Sequence, residues 1–310
     1  MQYLTILDSM RNNKTYTGTA SKFGVTINGL DYIVKLPKKD DLSPFTEYIA
    51  STMFTRLGLL THRAYIGKYK GTYVSVVQDF TQDSENSLHE FNDVGQSSVD
   101  ASLSKMDSYT YEDVLNILYS YKYFTPEVLN ALLYQFWFMF VCDGIFGNRD
   151  RNRTNWGFMQ NPVTLLCSVA PIYDNAGCIF PSANSYMPKY KNVQTRKDMV
   201  LKSGVYMPYS VFRVYNSDKG TNVKVRYGEL FRDTTVNPIF HGIVTTLRQQ
   251  VSWKQFAMLF KSIVDPLDVD PWIKRFWKEA IVTRYRMFIL GEPFDTCYAE
   301  LESLLNGGQL

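Results

Sequence analysis

The chain has 310 residues, of which 45% are hydrophobic, 15% aromatic and 20% charged, and its formal net charge is +3. This composition is ordinary for a globular protein that buries a sizeable core, and the charge is too small to indicate a nucleic-acid or membrane partner. The four cysteines and three histidines lack the paired spacing of a zinc site, so reduced thiols in a cytoplasmic protein are the simplest interpretation.

The N-terminus has no basic head followed by a long apolar run, so no secretory signal peptide is predicted. Delivery into another cell without a conventional signal stays open.

Residues 15–36 indicate a β-hairpin, since Asn28-Gly29 is a strong turn dipeptide and Pro37 ends the return strand. The small polar residues before the turn could bring backbone N–H groups to phosphate oxygens, although their glycines do not have the Walker spacing.

Lys35 lies at the end of the return strand. It is either an exposed lysine of an edge strand or a ligand of nucleotide phosphates held by a carboxylate of the next helix. That helix is predicted to have Ser43 as its N-cap, followed by Pro44. Glu47 in its first turns is the candidate partner of Lys35, while Asp40, Asp41 and a solvated Glu47 remain alternatives.

Two further strands are predicted at 64–67 and 72–77. The second leads into a polar linker beginning at Gln78, which is where a two-lobed kinase would place its adenine-contacting hinge. An ordinary strand end is an equally good interpretation. The serine-rich residues 82–108 are predicted to be a linker or mobile insertion.

Helical patterns follow. Thr110 with Asp113 resembles a capping box, and Thr125-Pro126 begins an apolar helix that extends to Cys142. This second helix is interrupted by polar residues and is short for a bilayer span, so a buried core helix is predicted. Residues 238–305 are predicted to form several helices, broken at three proline-containing positions.

The chemistry is concentrated in residues 143–186. Asp150, Asn155 five positions later, and Asp174 after an apolar approach are the residue types that phosphoryl transfer from ATP requires. One aspartate orients the acceptor hydroxyl, and the asparagine and the second aspartate hold Mg²⁺ against the phosphates. The basic residues between 189 and 202 are interpreted as a solvated, substrate-facing loop rather than a nucleic-acid surface, because no nucleic-acid motif accompanies them.

The motifs FGNRDRNRTNWG at 146–157 and APIYD at 170–174 together resemble the HipA-like serine/threonine kinases. The strand YIVKLP at 32–37 and the loop GTASK at 18–22 are similar to that family too, and the compact layout resembles its stand-alone members. The resemblance implies an α+β, bilobal, protein-kinase-like fold, related to that of the phosphoinositide kinases. It also implies a small β-rich N-lobe over residues 1–80 and a larger, mainly helical C-lobe over residues 81–310.

The resemblance also implies the site residues. Asp150 matches the catalytic aspartate, Asn155 and Asp174 match the Mg²⁺ ligands, and Lys35, with Glu47 beside it, matches the lysine on the phosphates of ATP. The phosphate loop would comprise Thr17, Gly18, Thr19, Ala20, Ser21 and Lys22, and the hinge would comprise Val77, Gln78 and Phe80, with Tyr173 as a wall of the nucleotide pocket.

One position departs from the family pattern, because Asn152 stands where the family usually has histidine. An asparagine can still bond the loop backbone or a phosphate oxygen, but weakened or absent turnover is left open. Some family members modify a hydroxyl in or before the phosphate loop, and the available ones here are Thr15, Thr17, Thr19 and Ser21.

The expected function is an ATP- and Mg²⁺-dependent protein kinase whose partner is a protein with a serine or threonine acceptor. A lipid kinase, and a nucleotide-binding pseudokinase or toxin–antitoxin component, are the alternatives. An antitoxin partner is left open, and neither direct nucleic-acid binding nor membrane binding is expected.

Overall fold

The computed structural model describes residues 3–16, 21–82, 84–92, 110–192, 195–196 and 207–307. A five-stranded sheet forms the N-terminal part, with strand order β1-β4-β5-β3-β2. Its only parallel pair among the described residues is β1 with β4. The strands are β1 (Leu4–Ile6), β2 (Lys22–Ile27), β3 (Leu30–Lys35), β4 (Ala64–Tyr69) and β5 (Thr72–Gln78).

The predicted hairpin joins β2 to β3. Asn28 and Gly29 both have positive φ, 52° and 79°, which is the conformation that a two-residue hairpin turn requires. The resulting register places Lys22 opposite Lys35 and Gly24 opposite Ile33, so these four residues share one face of the sheet. The other face carries a small apolar core that includes Val25, Val34 and Val76.

Helix α1 (Ser43–Leu57) connects β3 to β4 and packs on the sheet. It begins at Ser43, whose N–H donates to the Asp41 carboxylate at 2.8 Å, and Leu42 occupies the N-cap position. The predicted N-cap role of Ser43 is therefore wrong by one residue, because Asp41 supplies the acceptor instead. Gly58, with φ 101°, ends the helix in the left-handed conformation.

The C-terminal part is built around α3 (Pro126–Phe146), which is buried over most of its length. By length and composition α3 could cross a membrane, but 72% of its most apolar window lies inside the fold, as expected for a core helix. The helices around it are α2 (Tyr111–Ser120), α4 (Met187–Lys191), α5 (Tyr227–Leu230), α6 (Pro238–Gln250), α7 (Trp253–Val264), α8 (Pro271–Tyr285) and α9 (Phe294–Asn306). The predicted capping box at Thr110 and the N-cap at Thr125 are both present.

Two small β-elements complete the fold. A three-stranded sheet contains β6 (Ser87–Glu90), β7 (Gly157–Gln160) and β8 (Cys167–Val169), and a hairpin contains β9 (Tyr209–Asn216) and β10 (Thr221–Arg226). The predicted linker is therefore wrong at 87–90, which pairs with β7, while Asp83 and residues 93–108 of that segment lie outside the described residues.

The predicted class is confirmed: an α+β, protein-kinase-like fold with a small β-rich lobe and a larger helical lobe. The central strand β5 ends at Gln78, and α1 and the segment after β8 lie between the two parts. This junction brings together residues that are far apart in the sequence.

Candidate active site

Lys35 lies at the centre of the junction between the two lobes. Its ammonium is 3.0 Å from Oε2 of Glu47 on α1 and 3.0 Å from Oδ1 of Asp174 in the loop after β8. Burial lowers the pKa of Lys35, but the two carboxylates outweigh it and raise the pKa above the ordinary value. The alternative of a solvent-facing lysine is therefore excluded, and Glu47, rather than Asp40 or Asp41, is its partner.

Glu47 is fully buried, and several polar groups contact its carboxylate. His62 Nε2 and the backbone N–H of Asn175 approach its Oε1 at 3.3 Å and 3.2 Å. Burial raises the pKa of Glu47, but the charge of Lys35 and the contact with His62 reverse this effect and hold the pKa well below its ordinary range. Glu47 thus stays ionised and fixes the position of Lys35.

A second lysine faces the same space. Lys22 lies opposite Lys35 in the β2–β3 register. Burial and the charge of Lys35 lower the pKa of Lys22. Two lysines placed directly opposite each other repel, so this pair favours an anionic ligand between the strands and the Asp174 loop.

The catalytic loop follows α3. Gly147 ends the helix with φ 65°, and Asn148 then donates to Asp143 Oδ1 and accepts from the Asp150 N–H. Asp150 itself is exposed to the cleft, and burial together with the negative charge of Asp174 raises the pKa of its carboxyl. The loop therefore presents one carboxylate on a backbone fixed by buried groups.

Arg151 is the main support of this loop, although the sequence did not single it out. Its guanidinium is fully buried and makes five hydrogen bonds, which uses all five N–H donors of an arginine. Two go to Asp143, two to the carbonyl oxygens of Asn155 and Tyr173, and one to Asn175 Oδ1. Arg151 thus joins the loop that carries Asp150 to the loop that carries Asp174.

Asn152 and Asn155 are also ordered by this loop. The Asn155 side-chain nitrogen donates to the Asp150 carbonyl at 2.6 Å, and this bond orients the amide oxygen away from it. Asn152 donates from Nδ2 to Asp150 Oδ1 at 3.1 Å and accepts from Thr154. At the position that departs from the family pattern, the side chain therefore contacts the candidate catalytic carboxylate.

Asp174 occupies a strained position. Its φ is 56°, a left-handed conformation that is uncommon for residues other than glycine. Such strain persists where surrounding contacts fix the backbone, and here the adjacent residue Asn175 is tied to Arg151, Glu47 and Ser51.

The predicted hinge and nucleotide pocket lie at the end of β5. The rings of Phe80 and Tyr173 face each other with centroids 6.0 Å apart, and the Tyr173 hydroxyl donates to the Thr154 carbonyl. Val77 lies opposite Ile33 on the face that carries Lys35. The Gln78 N–H already donates to the Arg63 carbonyl, so a ligand contact from Gln78 would use its carbonyl oxygen.

The structure describes only part of the predicted phosphate loop. Thr17, Gly18, Thr19 and Ala20 lie outside the described residues. Ser21 is described, and its carbonyl accepts from the Leu36 N–H at 2.9 Å. This bond continues the pairing of β2 with β3 and brings the end of the predicted loop beside Lys35.

The model of the HipA-like C-terminal domain family matches residues 15–212, nearly two thirds of the chain. The chain belongs to this family. The matched region contains Lys35, Glu47, Asp150, Asn155 and Asp174, so the junction described above lies inside it.

Named relatives of this HipA-like chain are kinases and toxins. It is 30% identical over 172 residues to the serine/threonine-protein kinase CtkA of Helicobacter pylori strain J99, an alignment that covers 53% of this chain and 51% of that protein. The chain thus spans about half the length of this curated relative in the alignment. The crystal structure of the Helicobacter pylori proinflammatory kinase CtkA matches with a TM-score of 0.76 at 23% identity, covering 98% of this chain and all of that one.

A HipA toxin of Shewanella oneidensis, solved in complex with HipB and operator DNA, matches with a TM-score of 0.55 at 13% identity. It covers 95% of this chain and 69% of that one. At these identities the two structural matches establish the fold of this HipA-like chain.

Sequence reasoning missed the residues that support the site. Asp143, Asn148, Arg151 and Asn175 are all buried polar residues of this junction, and His62 was set aside as one of three scattered histidines. The three closely spaced arginines of the catalytic loop were a signal, but only the fold separates the buried Arg151 from the exposed Arg149. The basic residues between 189 and 202 were predicted to form a solvated loop, and this is wrong at Arg196, which is buried against Glu302. Lys197 and Lys202 lie outside the described residues.

Proposed function

We propose that this HipA-like chain is an ATP- and Mg²⁺-dependent protein serine/threonine kinase. The observation that carries the proposal is the bridge from Lys35 to Glu47 and Asp174. A lysine on a strand, held by a glutamate of the following helix and directed at the metal loop, is what a kinase uses to place the phosphates of ATP. The named kinase relative supports this proposal.

The nucleotide would lie between the lobes. Its phosphates would contact Lys22 and Lys35, where they relieve the repulsion between two like charges. Its base would lie toward the hinge near Val77, with Phe80 and Tyr173 as apolar walls. The residues before Lys22 would supply backbone N–H groups to the phosphates.

Asn155 and Asp174 fit the needs of Mg²⁺. Mg²⁺ prefers oxygen ligands and is usually held by one or two protein groups together with substrate phosphates. The Asn155 amide nitrogen donates to the Asp150 carbonyl, and its oxygen, which accepts from the Thr154 hydroxyl at 3.3 Å, retains a second lone pair for the ion. The described residues contain no cluster of three acidic, His or Cys ligands that would hold a metal alone. Bound there, the ion would neutralise charge on the phosphates.

Asp150 would orient the hydroxyl of the acceptor and accept its proton. Its carboxylate is positioned by the Asn148 side chain at its backbone and by Asn152 at Oδ1. Positioning and charge neutralisation carry most of the rate in this reaction class, so the fixed loop matters more than the basicity of Asp150.

Transfer of labelled phosphate from ATP to protein acceptors tests the proposal. We expect Asp150→Asn, Asp174→Asn and Lys35→Met each to lower the rate by at least about 100-fold, while Asp218→Asn on an exposed turn serves as the matched control. Mass spectrometry after incubation with ATP and Mg²⁺ would also report modification of Thr15, Thr17, Thr19 or Ser21. Wild-type rates in all three variants, or transfer only to phosphoinositide vesicles, would contradict the proposal.

We propose the partners of this chain by class only. The kinase relative favours a protein substrate, and the complex of the Shewanella HipA with HipB motivates a search for an antitoxin partner of this chain. Co-purification of the tagged chain from its native cells, followed by mass spectrometry, tests whether such a partner binds it.

A further inference from the structure

A cavity of about 290 Å³ opens beside Asp150 on the side away from the hinge. None of the described residues that line it belongs to β3 or to the hinge. They are Asp41, Ser43, Arg149, Asp150, Ala176, Gly177, Phe180, Pro181 and Ser182. Because the cavity borders the candidate catalytic carboxylate but neither Lys35 nor the described hinge residues, it lies where an acceptor side chain and its neighbours would enter.

Three ionisable side chains line this cavity, and two of them have other roles. Asp150 would orient the acceptor hydroxyl under the proposed function, and Asp41 accepts the Ser43 N–H at the positive end of the α1 dipole. Arg149 is exposed and makes no ion pair with any residue that the structure describes. Its positive charge is therefore available to a ligand in the cavity.

Arg149 lies against a wall of the cavity that other contacts hold in place. Its guanidinium lies over the Phe180 ring at 5.6 Å, and Arg284 contacts the same ring at 4.8 Å. Ile179 and Phe180 both have positive φ, 55° and 56°. A bond from the Ile179 N–H to the Phe146 carbonyl holds this strained segment.

An arginine that already rests against an aromatic ring loses less freedom when it binds a carboxylate or phosphate, and its planar fork suits both. We infer that Arg149 is a specificity-determining residue that selects acceptor peptides with a negative charge next to the modified serine or threonine. An extended peptide advances about 3.3 Å per residue, so the charge would lie within about two residues of the acceptor. Aspartate, glutamate or an already phosphorylated residue would supply it. The inference rests on the proposed kinase function.

Matched peptides test it. Four peptides carry the same acceptor serine, flanked by glutamate, phosphoserine, glutamine or lysine, and both phosphate transfer and binding by fluorescence anisotropy are measured. For the wild type we expect glutamate and phosphoserine peptides to be preferred over the lysine peptide by about 3- to 5-fold, which is typical of one charge pair near a surface. Arg149→Glu should invert this ratio, and Arg149→Lys should retain part of it.

A substitution beside Asp150 can lower the transfer rate for every peptide. The ratio of the transfer rates of two peptides is unaffected by such a general loss. Arg232→Glu, in the exposed turn after α5 and outside the cavity lining, is the control for net charge and should keep the wild-type ratio. A preference for phosphoserine over glutamate would identify a previously phosphorylated substrate as the source of the charge.

Equal binding and transfer of all four peptides by the wild type, or the same ratio in Arg149→Glu, would overturn the inference. Failure of the proposed function looks different: no peptide receives phosphate, yet the acidic peptides still bind in an Arg149-dependent way. That result would keep Arg149 as an anion-binding residue and reject the kinase assignment.

Discussion

Two of the regions that bury a carboxylate provide it with hydrogen-bond partners to different degrees. The loop cluster consists of Asp143, Asn148, Arg151 and Asn175 beneath the catalytic loop, and the rear pair consists of Tyr190 on α4 and Glu279 on α8. All six residues are almost completely buried. In the loop cluster every N–H donor of Arg151 has an acceptor. In the rear pair Tyr190 donates to Oε2 of Glu279, but Oε1 has no hydrogen-bond partner among the described residues.

The difference shows how burial acts on charge. A buried carboxylate that is paired with a fully bonded arginine can stay ionised and hold two loops together. At the rear pair burial raises the pKa of Glu279 to about 7, although Tyr190, Arg275 and Arg196 act in the opposite direction. In the loop cluster, burial lowers the pKa of Arg151 but the charge of Asp143 outweighs it, so the guanidinium stays charged, while the rear pair changes its protonation near neutral pH.

Arg151→Met would break the loop cluster and should have the largest effect. The change leaves Asp143 buried without its partner, which typically costs about 3–5 kcal/mol of unfolding free energy. Urea denaturation measures this loss, with Arg232→Met at an exposed site as the control. The double variant Asp143→Leu/Arg151→Met should lose less than the sum of the two single variants, since no unpaired charge remains. A loss below about 1 kcal/mol in Arg151→Met would contradict this account of the cluster.

Glu279→Gln tests the rear pair. A carboxyl whose pKa is raised from 4.5 to about 7 binds a proton more tightly in the folded than in the unfolded state. Its contribution to stability is therefore complete below about pH 4.5 and is lost as the pH rises through about 7. The glutamine variant lacks this loss, so it should exceed the wild type at pH 8 by up to about 3 kcal/mol and match it near pH 4.5.

Urea denaturation at several pH values checks this difference, and Glu229→Gln at an exposed site is the control. A difference between Glu279→Gln and the wild type that does not change with pH would show that Glu279 keeps its charge in the folded protein.

Local signals in the sequence predicted the local structure well. The Asn28-Gly29 turn, the capping box at Thr110 and the start of α3 after Thr125 are each set by a few adjacent residues. The β9–β10 hairpin was missed because its strands lie mostly at intermediate burial and lack a clear alternation of apolar and polar residues. Periodicity is informative only where one face is buried and the other exposed.

The candidate site likewise contains residues that the sequence predicts and residues whose roles only the fold reveals. Lys35, Glu47, Asp150, Asn155 and Asp174 were found because phosphoryl transfer requires those residue types in that order. The role of Arg151 depends on Asp143 in the preceding helix and on the carbonyl oxygens of Asn155 and Tyr173. Only the folded chain brings these groups together, so no spacing in the sequence could have indicated it.

Gly177→Ala tests the loop cluster by adding a methyl group next to it. A methyl group at Gly177 would lie 2.7 Å from Asn148 Oδ1 and 3.0 Å from Asp150 Cβ. We expect the displaced loop to lower phosphate transfer by about 10-fold, with a loss of stability of about 1–2 kcal/mol. Gly242→Ala in the exposed interior of α6 meets nothing within 4 Å and should instead stabilise the protein by about 0.5–1 kcal/mol. Equal effects of the two changes on transfer would show that Gly177 does not position Asp150.

Asn152→Ala should have the smallest effect, because it removes one exposed contact at the edge of the loop cluster. Asn152 donates to Asp150 Oδ1, and its own oxygen accepts from the N–H and hydroxyl of Thr154. Loss of this contact frees the Asp150 carboxylate while the backbone below it stays fixed by Asn148 and Arg151, so we expect a decrease of about 3- to 10-fold in the rate of transfer. The melting temperature should stay nearly unchanged, since the site is exposed. Asn152→His, which introduces the usual family residue, should recover most of the rate. A rate in Asn152→Ala equal to the wild type would mean that the buried loop cluster alone orients Asp150.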